Sequence, residues 1–524
     1  YISNDKSYKV TVYDSDIELY ADFEKPFEGL GTEASPYLIN GYDDLMKIAD
    51  RVNKGVEYTG KYFKQTSDIN MIGKQWVPIG ITVKEEGKSV TTRAFGGNYD
   101  GSGKTISNML CVSEIEAGLF GRTASDTTLK NINIVDSQIM ATITNKAETN
   151  KSFVGFIVGF SQSDIYNCTV KNSKASGIVN IGGIAGNSSY MGSKTGIAIT
   201  NCGVENTTIL STGVWDNSYA AGILGQGIST EIKNCYFTGD VKGYGRYVAG
   251  ITGKSFSDIT ECYVNADITS YASDKSNIDA NAVGGIVAST AGGNISDCYI
   301  TGNVTGGRLN VGGIVGKQTN DTRIINCYVV GNIKAGDSAA GGLSGSAAKS
   351  SVDAEDSACI KNSLYIGQKV ASDAEIAEVA RIVGSNNAKK PAALSNNYAF
   401  VDVKLAVAGK DVEVTDKDAG NANGADITKS QINNAPSAAV FADWNRNIWN
   451  IEAGKLPTLK NINKSVQTGE IPSYVKESSS SGGSSSGGAS SSGGSSSSGN
   501  SGNNTPVKPG QNTQKPSNGG NTNT

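Results

Sequence analysis

Chemistry in this 524-residue sequence would have to come from eight cysteines, a file of tyrosines, one oxygen-rich stretch and one glycine-lysine turn. Six of the cysteines (Cys168, Cys202, Cys235, Cys262, Cys298, Cys327) follow one another at intervals of 27 to 36 residues. Disulfide, redox or soft-metal chemistry are the uses such a series suggests. The same slot is filled elsewhere by Ile132, Ser363 and Asn397, which no thiol chemistry tolerates. The six therefore read as small inward fillers. Cys111 and Cys359 fall outside the slot and are either paired or free. Tyrosine follows the slot residue at Tyr236, Tyr263, Tyr299, Tyr328 and Tyr398. On a strand that position faces away from the cysteine, so Tyr236, Tyr263, Tyr299 and Tyr328 form the candidate binding strip for a glycan or protein. The competing reading is a self-packed ladder in which each ring stacks on the next.

The stretch "DVEVTDKDAGNANGAD" (411–426) carries enough oxygen to suggest calcium. It puts Gly420 and Ile427 where an EF-hand loop needs ligands, so it reads as a solvated loop. "YDGSGKT" (99–105) lacks both the spacing and the following helix of a phosphate loop, and reads as a turn. Histidine is absent, which removes Ser-His-Asp and Cys-His catalysis and every histidine-bearing zinc site. Carboxylates are scattered, and no pair recurs at a spacing suited to acid–base work. The expectation is a chain with no catalytic residues, no metal and no cofactor. With 46 Lys and Arg against 50 Asp and Glu, it has no basic field for nucleic acid. No apolar run reaches the roughly 20 residues of a membrane span.

The spacing of these residues points to the elements that hold them. From the slot onward the pattern alternates: Cys327, Val329, Gly331 and Ile333 on one side, Tyr328, Val330 and Asn332 on the other. Three residues before the cysteine stands an isoleucine (Ile165, Ile199, Ile232, Ile259, Ile295, Ile324), out of phase by one. A bend must lie between, at Asn131, Asn167, Asn201, Asn234, Glu261, Asp297, Asn326, Asn362 and Asn396. Asparagine accepts left-handed backbone angles, and stacked amides can hydrogen-bond from coil to coil. Paired glycines, as at Gly312 and Gly313, mark a second corner. Each repeat thus reads as two or three short strands and bends that stack in parallel on the next, about 4.8 Å along. Such coils need caps. The helical stretch 43–54, with Leu45, Ile48, Ala49 and Val52 on one face, is expected at one end, and 441–462, with Trp444 and Trp449, at the other.

The phrases "AGLFG" (117–121), "VGFIVG" (154–159), "IGGIAG" (181–186), "AAGILG" (220–225), "VAGITG" (248–253), "VGGIVG" (311–316) and "AGGLSG" (340–345) resemble the GLUG motif of bacterial surface proteins. "VGGIVA" departs from it at Ala288, as does the long insertion at 400–435. The resemblance covers roughly 28–462. It implies an all-β, right-handed parallel β-helix of pectin-lyase-like shape, on secreted or wall-attached proteins that are often adhesins. The motif also occurs in immunoglobulin-A-cleaving zinc endopeptidases. Their His-Glu-x-x-His helix is absent here, so any such kinship is to a non-catalytic region.

The expected organisation is then a trailing strand of a preceding β-domain, or a cap, over 1–25. A parallel β-helix follows over 26–465, with core repeats at about 117–400 and a cap at 428–462. A disordered Ser/Gly/Asn/Pro linker occupies 466–524. Tyr1 in place of a methionine marks an excised piece of a longer protein, with its targeting signals elsewhere. The expected function is a non-enzymatic, extracellular stalk or adhesin arm that offers a surface to a host or environmental glycan or surface protein, monomeric within a longer chain and not membrane-inserted. A passive spacer and a polysaccharide lyase or hydrolase are the alternatives.

Overall fold

Residues 294–318 make one turn of a solenoid. Asn294–Ser296 lies in sheet A, Tyr299–Thr301 and Val304–Gly306 in sheet B, Val311–Gly312 in sheet C and Val315–Gln318 in sheet D. The next turn repeats this path in strict parallel register, Ile295 beside Ile324, Ile300 beside Val329, Val304 beside Ile333, Val311 beside Ala340 and Val315 beside Ser344. The structure, a computed structural model, describes residues 27–477 apart from 85–88, 143–151, 190–195, 215–217, 273–281, 308–309, 320 and 351–357. Among the described residues sheet A has twelve strands, sheet B twenty, and sheets C and D nine each. The fold is an all-β parallel β-helix. The expected strand over 1–25 lies outside the described residues.

The corner between sheets A and B forms as its residues require. Asn131, Asn167, Asn201, Asn234, Glu261, Asp297, Asn326, Asn362 and Asn396 all take left-handed angles, φ between 51° and 55°. That turn moves the isoleucine before it and the cysteine after it to the same interior. Ile165, Ile199, Ile232, Ile259, Ile295 and Ile324 are buried with the six slot cysteines in one core. Each such isoleucine contributes about 1.5–3 kcal/mol against its exposed state. The amides join as a ladder, Asn167 Nδ2 donating to Asn131 Oδ1 at 3.3 Å, Asn234 to Asn201 at 3.1 Å and Asn396 to Asn362 at 2.9 Å.

The paired glycines make the corner between sheets C and D. A Cβ on Gly313 would sit 2.2 Å from the Gly342 carbonyl oxygen of the next coil, so no side chain fits. The isoleucine that follows turns inward, and its backbone joins a ladder of its own, Ile286 N to Ile314 O at 3.0 Å and Ile314 N to Leu343 O at 2.8 Å.

A third corner is not in the sequence expectation, which ran one strand from the cysteine through six residues and gave each repeat two or three strands. Most coils break that strand in two. The break falls at Asn108, Asp136 and Asn172 in early coils, φ between 50° and 57°, and at Gly302 and Gly331 in later ones, φ 153° and 145°, where Asn303 N donates to Asp267 Oδ1 at 2.8 Å. Only in Gly203–Ser211, Tyr236–Gly243 and Tyr263–Ser270 is the strand continuous.

The N-terminal cap is the expected helix, α1 (Tyr42–Asn53), with Leu45, Ile48, Ala49 and Val52 buried. Asn53 ties it down, accepting from Gly80 N at 2.9 Å and donating to Pro78 O at 3.1 Å. The C-terminal end is closed by a different segment from the one expected. Residues 415–427, read from sequence as part of a solvated loop, fold over the last coil. Ala422 O accepts from Ile382 N and Val383 N at 2.9 and 3.2 Å. Fully buried Arg381 donates to Asn423 O, Gly424 O and Asp426 Oδ1 at 2.8, 2.8 and 2.6 Å. Ala425–Ile427 then adds a last parallel rung beside Tyr398–Phe400.

The compact unit runs on to Glu477 and so takes in the first twelve residues of the expected linker, 466–477, with Ile471 and Val475 buried. Residues 478–524 lie outside the described residues.

Candidate functional site

The tyrosine file faces away from the cysteines, as the alternation requires, but the structure corrects the idea that it is an exposed strip. Tyr263, Tyr299 and Tyr328 are fully buried. Their rings stack coil on coil, with centroids 4.3 Å apart for the first pair and 4.6 Å for the second. Tyr236 leaves the stack. Its ring leans back over Gly203, where a Cβ would meet it at 2.2 Å, and its hydroxyl donates to Glu205 Oε1 at 2.5 Å. It stays partly exposed. Tyr398, in the same column two coils beyond Tyr328, is also only partly buried.

What covers the stack is the segment predicted to cap the solenoid. After helix α2 (Lys429–Asn433), residues 435–475 turn back along the outer face of sheet B. Trp449 lies 5.8 Å from the Tyr299 ring and 6.0 Å from the Tyr328 ring, and Trp444 packs on Trp449 at 4.5 Å. Phenol hydroxyls then bond to the cover: Tyr328 to Pro457 O at 2.6 Å and Tyr299 to Gln467 Oε1 at 2.8 Å. Burial pushes both phenols well above the usual tyrosine range, so they act as neutral donors. A short antiparallel pair, Trp449–Asn450 with Thr458–Leu459, closes the segment on itself.

The corner ladder carries a signal for this contact. It is amide at most positions and carboxylate at Glu261 and Asp297, which are where the covering segment lands. Trp449 Nε1 donates to Asp297 Oδ1 at 2.8 Å, and Asn461 Nδ2 to Glu261 Oε2 at 2.9 Å. Lys233 sits 3.0 Å from the other Glu261 oxygen. Two acceptors without competing N–H groups receive two donors from the cover. Burial holds the Asp297 carboxyl above the usual carboxylate range, the Glu261 charge adds to this, and the Trp449 and Asn326 donors with Lys233 oppose it. The acidic ladder positions were visible in the sequence, but nothing local said what they would meet.

The six slot cysteines are buried fillers, as expected. None of the eight cysteines forms a disulfide. The six slot cysteines are fully buried, and their Sγ atoms donate along the backbone, Cys235 to Ile199 O at 3.5 Å and Cys327 to Ile295 O at 3.5 Å. Burial raises the Cys168, Cys235 and Cys298 thiols. Cys111 is buried beside Ile139 on the inner face of sheet B, its thiol pushed up to about 12. Cys359 lies half-buried on sheet A between Arg323 and Ala393. In 411–426 two of the acidic side chains are engaged by nitrogen donors: Asp426 takes Arg381 and Lys417, and Asp418 Oδ1 takes Gly420 N at 2.9 Å. Among the described residues no three Cys, Asp or Glu side chains converge on a metal site.

An open cleft of about 430 Å³ lies near the N-terminal end of sheet A's outer face, lined by Tyr62, Lys64, Asn98, Asp100, Thr128 and Lys130 with the 33–36 loop along one side. Its charges alternate down one column, Lys64 beside Asp100 beside Lys130. Asp100 is also bound by Asn131 Nδ2 at 2.9 Å and Ser102 N at 2.7 Å.

The family described as "The GLUG motif" matches residues 279–305 and 307–334. This chain carries GLUG repeats. The match runs through the "VGGIVA" phrase set apart by Ala288, and the structure keeps that stretch in register, Val287 beside Val315. Halomucin of Haloquadratum walsbyi is 30% identical over 161 residues, 30% of this chain and 2% of its own length. The chain therefore spans a small part of that relative. The crystal structure of a Bacteroides ovatus protein given the name of an immunoglobulin A1 protease aligns over 84% of this chain and 96% of its own, at 20% identity and TM-score 0.36. At that score the likeness carries no argument. Among the described residues no helix is long and apolar enough to cross a membrane.

Proposed function

We propose that this chain is a non-enzymatic, extracellular arm of a bacterial surface or secreted protein, built to hold a recognition face at a distance. The observation that carries the reading is the unbroken register of sheet A across twelve strands, with the interior filled from end to end. The GLUG repeats support the extracellular placement. A solenoid bonded this way resists bending, because every coil is hydrogen-bonded and packed to both neighbours. With the tyrosine stack spent on internal packing, recognition of a glycan or protein moves to the outer face of sheet A, at the cleft holding Tyr62, Lys64 and Lys130. One ring, the Asn98 amide and two ammonium groups balanced by Asp100 and Glu33 suit a polar ligand of no strong net charge, such as a sugar chain.

The buried tyrosines also favour a passive spacer, and one experiment separates the readings. The chain is screened against glycans and matrix proteins, beside a Lys64→Ala/Lys130→Ala variant. Binding that the variant loses supports the cleft. Binding that the variant keeps places the site elsewhere, and no binding leaves the spacer. Release of unsaturated or reducing ends from a polysaccharide overturns the non-enzymatic reading.

A further inference from the structure

We propose that residues 435–475 are a mechanical clasp, which makes a pull on the C-terminus act across several coils at once instead of peeling the last one. A bare parallel solenoid is weak to such a pull. Its final strand is held by one row of hydrogen bonds, and tension opens them in sequence.

The path of the clasp changes this. It starts over the late coils, where Trp444 Nε1 donates to Asn362 O at 3.0 Å. It reaches back through Trp449 on Asp297 to Asn461 on Glu261. Near its far end Gln467 bonds Tyr299 at 2.8 Å. It then returns, Tyr474 donating to Ile366 O at 2.7 Å and Val475 O accepting from Asn433 Nδ2 at 3.0 Å. The chain thus leaves the fold beside its point of entry, after a loop tied to coils from 261 to 366. Load entering at Glu477 meets the returning limb before it meets Ala425–Ile427, the last rung. The limb's bonds lie on several coils and are strained side by side, and the tryptophan–tyrosine pack must be exposed to water before any coil is freed. Nothing in this depends on whether the arm binds a ligand.

Single-molecule pulling tests it. The full chain is held at its C-terminus and at a cysteine replacing exposed Lys130, with Cys359→Ser to keep attachment unique. The first rupture is expected at the highest force, releasing clasp residues, with weaker repeat-length events after it. Trp449→Phe keeps the ring and removes the N–H to Asp297, and Asn461→Ala removes the bond to Glu261. Both, checked for native fold by far-ultraviolet circular dichroism, are expected to lower the first rupture force and leave the later events unchanged. A first rupture that neither substitution moves, or a trace that begins with weak coil-by-coil steps in the parent chain, overturns the clasp.

Discussion

Asp297 sits where the corner ladder needs left-handed backbone, which asparagine supplies without carrying a charge into a buried site. Its carboxylate is 8% exposed under Trp449, and burial raises its pKa. The native chain therefore holds this proton at pH values where the unfolded chain has released it. Stability falls as pH rises from the ordinary aspartate range through the raised native value, then levels off. Asp297→Asn keeps an oxygen for the indole N–H and removes the ionisation. The variant is expected to melt higher than the parent at neutral pH, with the difference shrinking to nothing as pH falls below about 3.9, the ordinary aspartate value. Thermal melts across that range decide it, and a difference constant with pH rejects the buried charge as its cause. Glu261 is a different case, because it holds Lys233 on one oxygen and Asn461 on the other, and its replacement gives up both contacts.

Elements differ in how much of themselves they wrote into the sequence. Those set by nearest neighbours were legible: the asparagine corner, the glycine corner and the buried face of α1 each follow from backbone angles or periodicity within a few residues. The split of sheet B's strand was missed because Gly331 continues the inward alternation of Cys327 and Val329, and only the neighbouring backbone shows that a Cβ there would lie 2.0 Å from Gly302 O. The clasp was missed for a different reason. Trp449 meets Asp297 across 152 residues of sequence, a pairing that no local pattern encodes. The tyrosine strip was placed on the correct face, and the coil-on-coil stacking matches the self-packed reading; what neither reading held was the segment that covers it. The spool itself makes a prediction at this scale. If all six slot cysteines point into a closed interior, a thiol reagent at pH 8 reaches none of them, nor Cys111, in the native chain, and Cys359 is the one described thiol with partial exposure. Mass spectrometry after native labelling is expected to show at most one adduct per chain, rising to eight in denaturant. Rapid native labelling at Cys235 or Cys298 would mean the coils are not closed.

The whole molecule depends on its two ends, because each interior coil is satisfied by its neighbours and the terminal ones are not. Twelve strands in sheet A give eleven steps of about 4.8 Å, a rod of roughly 53 Å along the stacking direction. One end is closed by the apolar face of α1. The other is closed by polar groups, with Arg381 fully buried and its guanidinium divided among Asn423 O, Gly424 O and Asp426. That assignment competes with calcium for the oxygens of 411–426, and the two uses predict opposite responses. As a cap, Asp426 neutralises a buried cation. Asp426→Asn then leaves Arg381 without its counter-charge, and the cost is about 1–3 kcal/mol in a denaturant melt. Hydrogen exchange should rise first in 379–386, the last strands of sheets C and D, while millimolar calcium or EDTA moves neither measurement. As an ion site, EDTA would lower the melting temperature and Asp426→Asn would abolish that sensitivity. The geometry favours the first outcome, because both Asp426 oxygens and Asp418 Oδ1 already accept from nitrogen donors that a calcium ion would have to displace.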